Sequence, residues 1–526
     1  MRTTAAWALA LAGGLVWTGA ATAQTPVKGG TLNFAVVAEP PNYDCHSNTT
    51  FGHTHPIAPH YSTLLKFHGS TYPDVAGDLA TSWTVSPDGL SYTFKLHQNV
   101  KFHDGSPLTS ADVKASYERI IRPGDGIVSA RKSYYADFGD IETPDAQTVV
   151  FKLKTPIAGV LSLLASPFNC IYSAAKLKEN PRYPEREIMG SGAFTFVEHQ
   201  HGSTWTAKRF DQYFKAGLPY LDGYKAYFVK SLSVLPGLLG GQFDAEFRFR
   251  SPAERDQLVA KLGDKVWVKE QPLVSALIVI FNTKRKPFND EKVRQALSLA
   301  IDRWGGGEAL GKISAIKYVG GAIRPGFSMA LPDSELVKLP GFGKDPAAAR
   351  AQATKLLKEA GIDKLSFKLL NRSATDPYTA AGIYLVDQWR RVGVTATHEQ
   401  YETAPYQTAL SQGNFDVAIE FISDYTDDPT AQFTKLLSKK ASSVGYSDHE
   451  DAKIDQLYEA QRRAVDPAER KRIVNELDAY AMTTANVVPL LWFQRIVVQP
   501  TRLKGWYAMP SHYLGQDLSD VWLAPQ

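Results

Sequence analysis

The 526-residue chain has only 2 cysteines and 5 methionines. Cys45 and Cys170 are too few for a four-cysteine metal centre or a disulfide-dense scaffold. Neither sign of charge prevails: 58 Lys and Arg stand against 54 Asp and Glu, a net +4. No stretch concentrates Lys and Arg; Arg462-Arg463 and Lys471-Arg472 have acids close by and read as helix surfaces. Nucleic acid is thereby excluded as a partner, because phosphate binding needs a concentrated basic face. Beyond the N-terminus no apolar run approaches the ~20 residues of a membrane span. Catalytic motifs are missing too. Gly190-Ser191-Gly192 is no nucleophile elbow, H-E-x-x-H does not occur, and Gly306 to Lys312 reads G-x-x-x-x-G-K but is followed by Ile313 where a P-loop needs Ser or Thr.

The first residues read as a secretory signal over 1–23. Arg2 gives the positive start, Ala5 to Trp17 the apolar run, and Ala21-Thr22-Ala23 the small-residue cleavage site. No Cys stands at that point, so no lipid anchor is expected, and a free periplasmic protein follows. An oxidising compartment permits a Cys45–Cys170 disulfide; two small buried thiols are the other reading. The remaining length exceeds the ~250–300 residues at which single cores stop growing, so at least two lobes are expected. A hydrophobic share of 44% with 11% aromatics allows large cores.

Phe102 to Val113 reads FHDGSPLTSADV. A strand ends at Phe102, His103-Asp104-Gly105 makes a turn, and Thr109 with Asp112 forms a helix N-cap of capping-box type. Upstream, Asp78-Leu79-Ala80-Thr81-Ser82-Trp83 precedes the hairpin signal Ser86-Pro87-Asp88-Gly89. Downstream stand Gly190-Ser191-Gly192-Ala193-Phe194 and Pro287-Phe288-Asn289-Asp290-Glu291-Lys292-Val293-Arg294-Gln295-Ala296-Leu297. In order and wording these blocks resemble the bacterial extracellular solute-binding protein family 5, the periplasmic peptide, dipeptide and nickel binders of ABC transporters. The similarity runs from about Gly30 to near the C-terminus.

After Lys269 strands and helices alternate, as in an α/β lobe with an open sheet. Ala276 to Phe281 reads as a buried strand, Asn289 as the cap of a helix, Leu365 to Leu370 and Phe415 to Phe421 as further strands, and Val487 to Leu491 as another. Residues about 56 to 65 read as helical. The resemblance implies an α/β, two-lobed periplasmic binding protein fold (type II, large peptide-binder class) with an extra β-rich subdomain inserted in lobe I. Lobe I is expected at 24–66, 187–277 and 495–526, the inserted subdomain at 67–186 and lobe II at 278–494, with hinge crossings near Phe281 and Arg495. It further implies a monomer without cofactor that captures a solute by closure and delivers it to a membrane permease with two ATPase subunits.

Four regions are expected to hold the solute. Asp424, in Phe421-Ile422-Ser423-Asp424-Tyr425-Thr426-Asp427-Asp428-Pro429, matches the loop in which peptide binders pair an Asp with the ligand ammonium; Asp427 competes with it for that register, and Asp424 as a turn cap is the plainer reading. Phe421 and Tyr425 flank it. Arg372, just past a strand, matches an Arg that clamps a carboxylate, the bland alternative being a solvent-exposed loop Arg. Arg248 and Arg250, two apart, lie on one face if Phe247 to Arg250 is a strand; they face either an anionic ligand or Glu246 and Glu254. Asn48, Thr49, Thr50 and Phe51 precede the first helix as a polar cleft wall. His53 and His55 beside them could bind a metal, although the spacing matches no closed zinc pattern. Asp424 with Arg372 suits a short peptide or amino-acid-like zwitterion; Arg248 with Arg250 suits an organic anion, and a metal chelate is a further alternative. A secreted hydrolase is the remote rival. Asp427 and Asp428 are adjacent and point apart, so no catalytic residue is assigned and no enzyme is expected.

Overall fold

The computed structural model describes residues 25–525. The expected signal segment lies outside them. Two large hydrophobic clusters organise the chain. One gathers Leu32, Phe94, Phe151, Trp205 and Trp506, and the other gathers Ile278, Leu297, Trp389, Ile419 and Trp492.

Around the first cluster are two four-stranded sheets. Thr31–Val36 pairs in parallel with Gly223–Phe228, which is followed in the sheet by Thr204–Arg209 and Phe194–Gln200, both antiparallel. The second sheet is wholly antiparallel, in the order Ala80–Val85, Ser91–Leu96, Thr148–Leu153, Phe138–Asp145. Helix Ser110–Ile121 lies against this second sheet and begins with a complete capping box: Ala111 N donates to Thr109 Oγ1 and Thr109 N to Asp112 Oδ2 at 2.7 Å. The His103 turn ahead of it docks on the Gly190 block. His103 N donates to Gly190 O at 2.8 Å, and Gly192 N donates to His60 O at 2.9 Å. Cys45 and Cys170 form a disulfide, their Cα atoms 6.0 Å apart.

The second cluster surrounds a six-stranded mixed sheet in the order Ile316–Tyr318, Val487–Pro500, Val266–Phe281, Val417–Ser423, Leu365–Arg372, Val394–Tyr401. Its two central strands are longer than the sequence pattern suggests, because they run through both halves. Val266 to Pro272 pairs with Pro500 to Gln494 beside the first cluster, then the ladder breaks and resumes at Ala276–Trp492 in the second. The passage between halves therefore lies at Pro272–Ala276 and Trp492–Gln494, before Phe281 on one strand and just ahead of Arg495 on the other.

Several local readings shift. The first helix is Phe51–Ile57, followed by a 3-10 turn Ala58–His60, so Pro56 sits inside it rather than at its start. Asp290, not Asn289, caps helix Glu291–Leu299, accepting from Lys292 N at 2.9 Å. Residues 247–250 do not form a strand; only Arg250 makes a bridge, to Ile496.

Candidate functional site

Strand Val417–Ser423 ends in the loop that carries three aspartates. Asp427 is held in a bidentate pair by Arg324, 2.8 Å at each oxygen. Asp428 is held likewise by Arg470 at 2.8 and 3.0 Å and caps helix Pro429–Gln432. Both are buried and electrically matched. Among the described residues Asp424 has no ion pair. It accepts from the Tyr134 hydroxyl at 2.6 Å and from Tyr425 N at 2.6 Å. Burial raises its carboxyl above the usual range, and the nearby Arg131 guanidinium opposes that rise. Yet Asp424 keeps part of its surface accessible.

A continuous wall of rings and cations leads away from Asp424. Arg131 lies 3.6 Å from the Phe168 ring centroid and 5.8 Å from that of Tyr425, and donates to Asn48 O at 2.8 Å. Phe168 meets Tyr513 at 5.7 Å between centroids, Tyr513 meets His512 at 4.2 Å, and His512 meets Phe51 at 5.7 Å. Arg248 closes the row, 4.4 Å from the Phe51 centroid. Burial pushes the Tyr513 hydroxyl up, and Arg131, Asp424 and Arg248 all act on it, so the row is one electrostatic neighbourhood. The structure thus brings Asp424, Tyr425, Asn48, Phe51 and Arg248 together, although they come from distant parts of the sequence. A cleft of about 150 Å³ beside Arg248 and Phe249 is closed on the other side by Ala315 and Asp376.

Other expected residues have local duties. Thr50 caps the first helix, accepting from Gly52 N at 3.2 Å, while Thr49 is exposed. Arg250 is buried against Glu246 and reaches Glu254, so it is tied down rather than free for a solute. Arg248 shares Glu246 at 3.1 Å but keeps some exposure. Three guanidiniums gather here, since buried Arg495 spans the carbonyls of Phe247, Arg248, Met509 and Ser511; the cations outnumber the one buried carboxylate. Arg372 is the last residue of its strand, not a loop residue, and its guanidinium pairs with buried Glu420 at 2.8 and 3.0 Å. Glu420 also accepts from Lys435 at 2.9 Å and from the Tyr406 hydroxyl at 2.7 Å. Two cations on one carboxylate leave a positive excess; Arg372 Nε is buried without a hydrogen-bond partner, and the guanidinium carbon lies 4.8 and 4.9 Å from the Tyr406 and Phe421 ring centroids.

His53 and His55 do not gather with a third metal-ligating side chain among the described residues, and each has a local contact. His53 Nε2 lies 3.1 Å from Tyr43 O and His55 Nε2 lies 3.0 Å from His512 O. Burial lowers both to about 4, so both rings are neutral, and each keeps a buried Nδ1 without a hydrogen-bond partner. A hollow of about 850 Å³ holds none of the residues expected to bind the solute; of the charges lining it, Lys66 pairs with Asp517 at 2.7 Å and Asp78 with Lys215 at 2.5 Å.

Sequence reading missed Arg131, Tyr134, Phe168 and Tyr513. None lies in a recognisable block. Tyr134 and Arg131 lie on either side of the start of a short 3-10 turn, Lys132–Tyr135, and only the tertiary fold carries them to Asp424.

Comparisons agree with this architecture. The family model of bacterial extracellular solute-binding proteins, family 5 (middle region), matches residues 74–443. A glutathione-binding protein, GsiB, of Salmonella typhimurium is 25% identical over 456 residues, covering 84% of this chain and 85% of that one. GsiB of Pectobacterium atrosepticum is 34% identical over 285 residues, about half of each chain (54% and 52%). The solved structure of the binding protein AgaA from A. tumefaciens R10, in complex with agropinic acid, superposes with a TM-score of 0.77 at 25% identity, covering 94% of this chain and 99% of that one. The fold is shared at a TM-score of 0.77 and 22% identity with DppA from Helicobacter pylori, which covers 95% of this chain and 99% of its own. With two thirds of its length under the family model, the chain belongs to the bacterial extracellular solute-binding proteins, family 5.

Proposed function

We propose that this protein captures a short peptide or amino-acid-like zwitterion in the periplasm and hands it to an ABC permease and its ATPases. One observation carries the reading: of three aspartates in one loop, two are matched by arginines and Asp424 is not, while aromatic rings and a hydroxyl surround it. A half-buried carboxylate without a cation receives a ligand ammonium through a charge-assisted bond. Cationic excess at Arg372 with Lys435, at Arg131, and at Arg248 would receive carboxylates of the same ligand. A relative named as a glutathione-binding protein is consistent with an amino-acid-like ligand.

The lobes would be 24–66 with 187–277 and 495–526, the inserted 67–186, and 278–494, hinged where the two long strands break register at Pro272–Ala276. Binding would favour the closed state and so gate delivery.

Titration calorimetry with glutathione, dipeptides, amino acids and opine-type acids tests the reading. Asp424→Ala is expected to weaken the best of these by roughly ten-fold or more, since a ligand charge loses its partner in a buried site. The second reading, an organic anion, rests on the three guanidiniums around Glu246. It expects Arg248→Ala to abolish binding while Asp424→Ala spares it. Unchanged affinity in both variants would reject both readings.

A further inference from the structure

Outside the cleft, three side chains converge on a point. Glu39 follows strand Thr31–Val36 and is held by Pro40-Pro41 behind it; His199 lies near the end of strand Phe194–Gln200, and His201 stands in the turn after it. Glu39 Oε1 lies 2.8 Å from His199 Nε2 and 2.9 Å from His201 Nδ1, and the ligating atoms all fall within 4.8 Å of one another. The two imidazole centroids are 4.1 Å apart. Glu39 Oε2 accepts from Gly202 N at 2.9 Å, which fixes the carboxylate.

His199 is the informative member. Its side chain is only 2% exposed, and its Nε2, although close to Glu39, lies off the direction of a hydrogen bond and has no such partner. Its other nitrogen, Nδ1, stands 2.8 Å from the Tyr43 hydroxyl. When Nδ1–H donates to that hydroxyl, the Nε2 lone pair faces a carboxylate oxygen, an arrangement that repels unless a cation lies between. A second contact that sets the tautomer and ring orientation is what metal-binding histidines require. His201 is 80% exposed, so water would complete the coordination of a bound ion from outside.

We infer that Glu39, His199 and His201 form a site for a divalent transition ion of the zinc and nickel class, separate from the solute cleft. Two imidazoles and one carboxylate suit such ions better than calcium or magnesium, which prefer oxygen ligands throughout. The ion would tie the Glu39 segment, which leads to Tyr43 and the Asn48 wall, to the hairpin that carries His199.

Calorimetry with zinc chloride on the chelator-treated full chain at neutral pH tests this. Wild type is expected to bind one ion per chain, and Glu39→Gln and His201→Ala each to weaken binding by roughly 100-fold. Both side chains are partly or largely exposed, so the fold is expected to survive, which far-UV circular dichroism verifies for each variant. His68→Ala, at an exposed histidine elsewhere, should bind as wild type does. Zinc should also raise the melting temperature of wild type and not of Glu39→Gln. Absence of stoichiometric binding, or binding by both ligand variants as tight as that of wild type, would overturn the site and leave a plain Glu39–His201 ion pair.

Discussion

Asp424 and its neighbours Asp427 and Asp428 are one residue type in one loop, and their partners alone separate them. Each of the latter two needs its arginine, because an unpaired charge in that position would be stranded in a dry interior. Another buried acid has no cation at all. Asp478, on helix Pro467–Thr484, accepts from Ala322 N at 2.8 Å, while its Oδ2 is buried without a partner. Burial raises its carboxyl to about 7, against the pull of the Ala322 and Ile323 amides. The folded state therefore holds this proton more tightly than the unfolded chain does. Its stabilising effect is full below the ordinary carboxyl range and fades as pH rises towards 7, because the unfolded chain then binds fewer protons. Asp478→Asn is expected to gain stability over wild type at pH 8 relative to pH 5, by an amount on the order of a few kcal/mol, and to melt correspondingly higher. Thermal melts across that interval check it; a gap between variant and wild type that does not change with pH would refute the assignment.

At the scale of elements, most of what the sequence says in blocks turns out to be joinery. The Gly190-Ser191-Gly192 run is an example. A Cβ on Gly192 would come within 2.5 Å of Pro59 O and Tyr61 N, and one on Gly190 within 2.2 Å of His60 O. Only bare backbone lets this run lie against the 3-10 turn Ala58–His60 while the His103 turn bonds to its carbonyls. Gly192→Ala is therefore expected to lower the melting temperature by several degrees or prevent folding, measured by circular dichroism. An unaltered melt would show that the contact can give. The Thr109 cap and the alternating strands were legible because caps and periodicity are local. The full length of the two central strands was not, since their hydrophobic pattern changes where they pass from one core to the other. Arg372 and Asp424 were legible as residues from their place in family-like blocks. Their states were not: that Arg372 is tied to Glu420, and that Asp424 is the aspartate left over, depends on partners up to hundreds of positions away. Arg131, Phe168 and Tyr513 carry no local signal, and only tertiary packing assembles them.

For the whole molecule, the halves are joined by two long strands and by side-chain contacts across them. Tyr134 reaches Asp424, Tyr72 reaches Asp427 at 2.9 Å, and Arg462 pairs with Asp137. Tyr425 from the aspartate loop is buried in the first hydrophobic cluster. A solute that adds its own contacts at Asp424 and the cationic wall can therefore decide whether the halves stay shut. Small-angle scattering of the full chain, with and without whichever solute binds most tightly in the titrations, tests this most directly. The account expects the radius of gyration to fall on adding solute to wild type and to stay put in Asp424→Ala; curves that superpose with and without bound solute in wild type would contradict it.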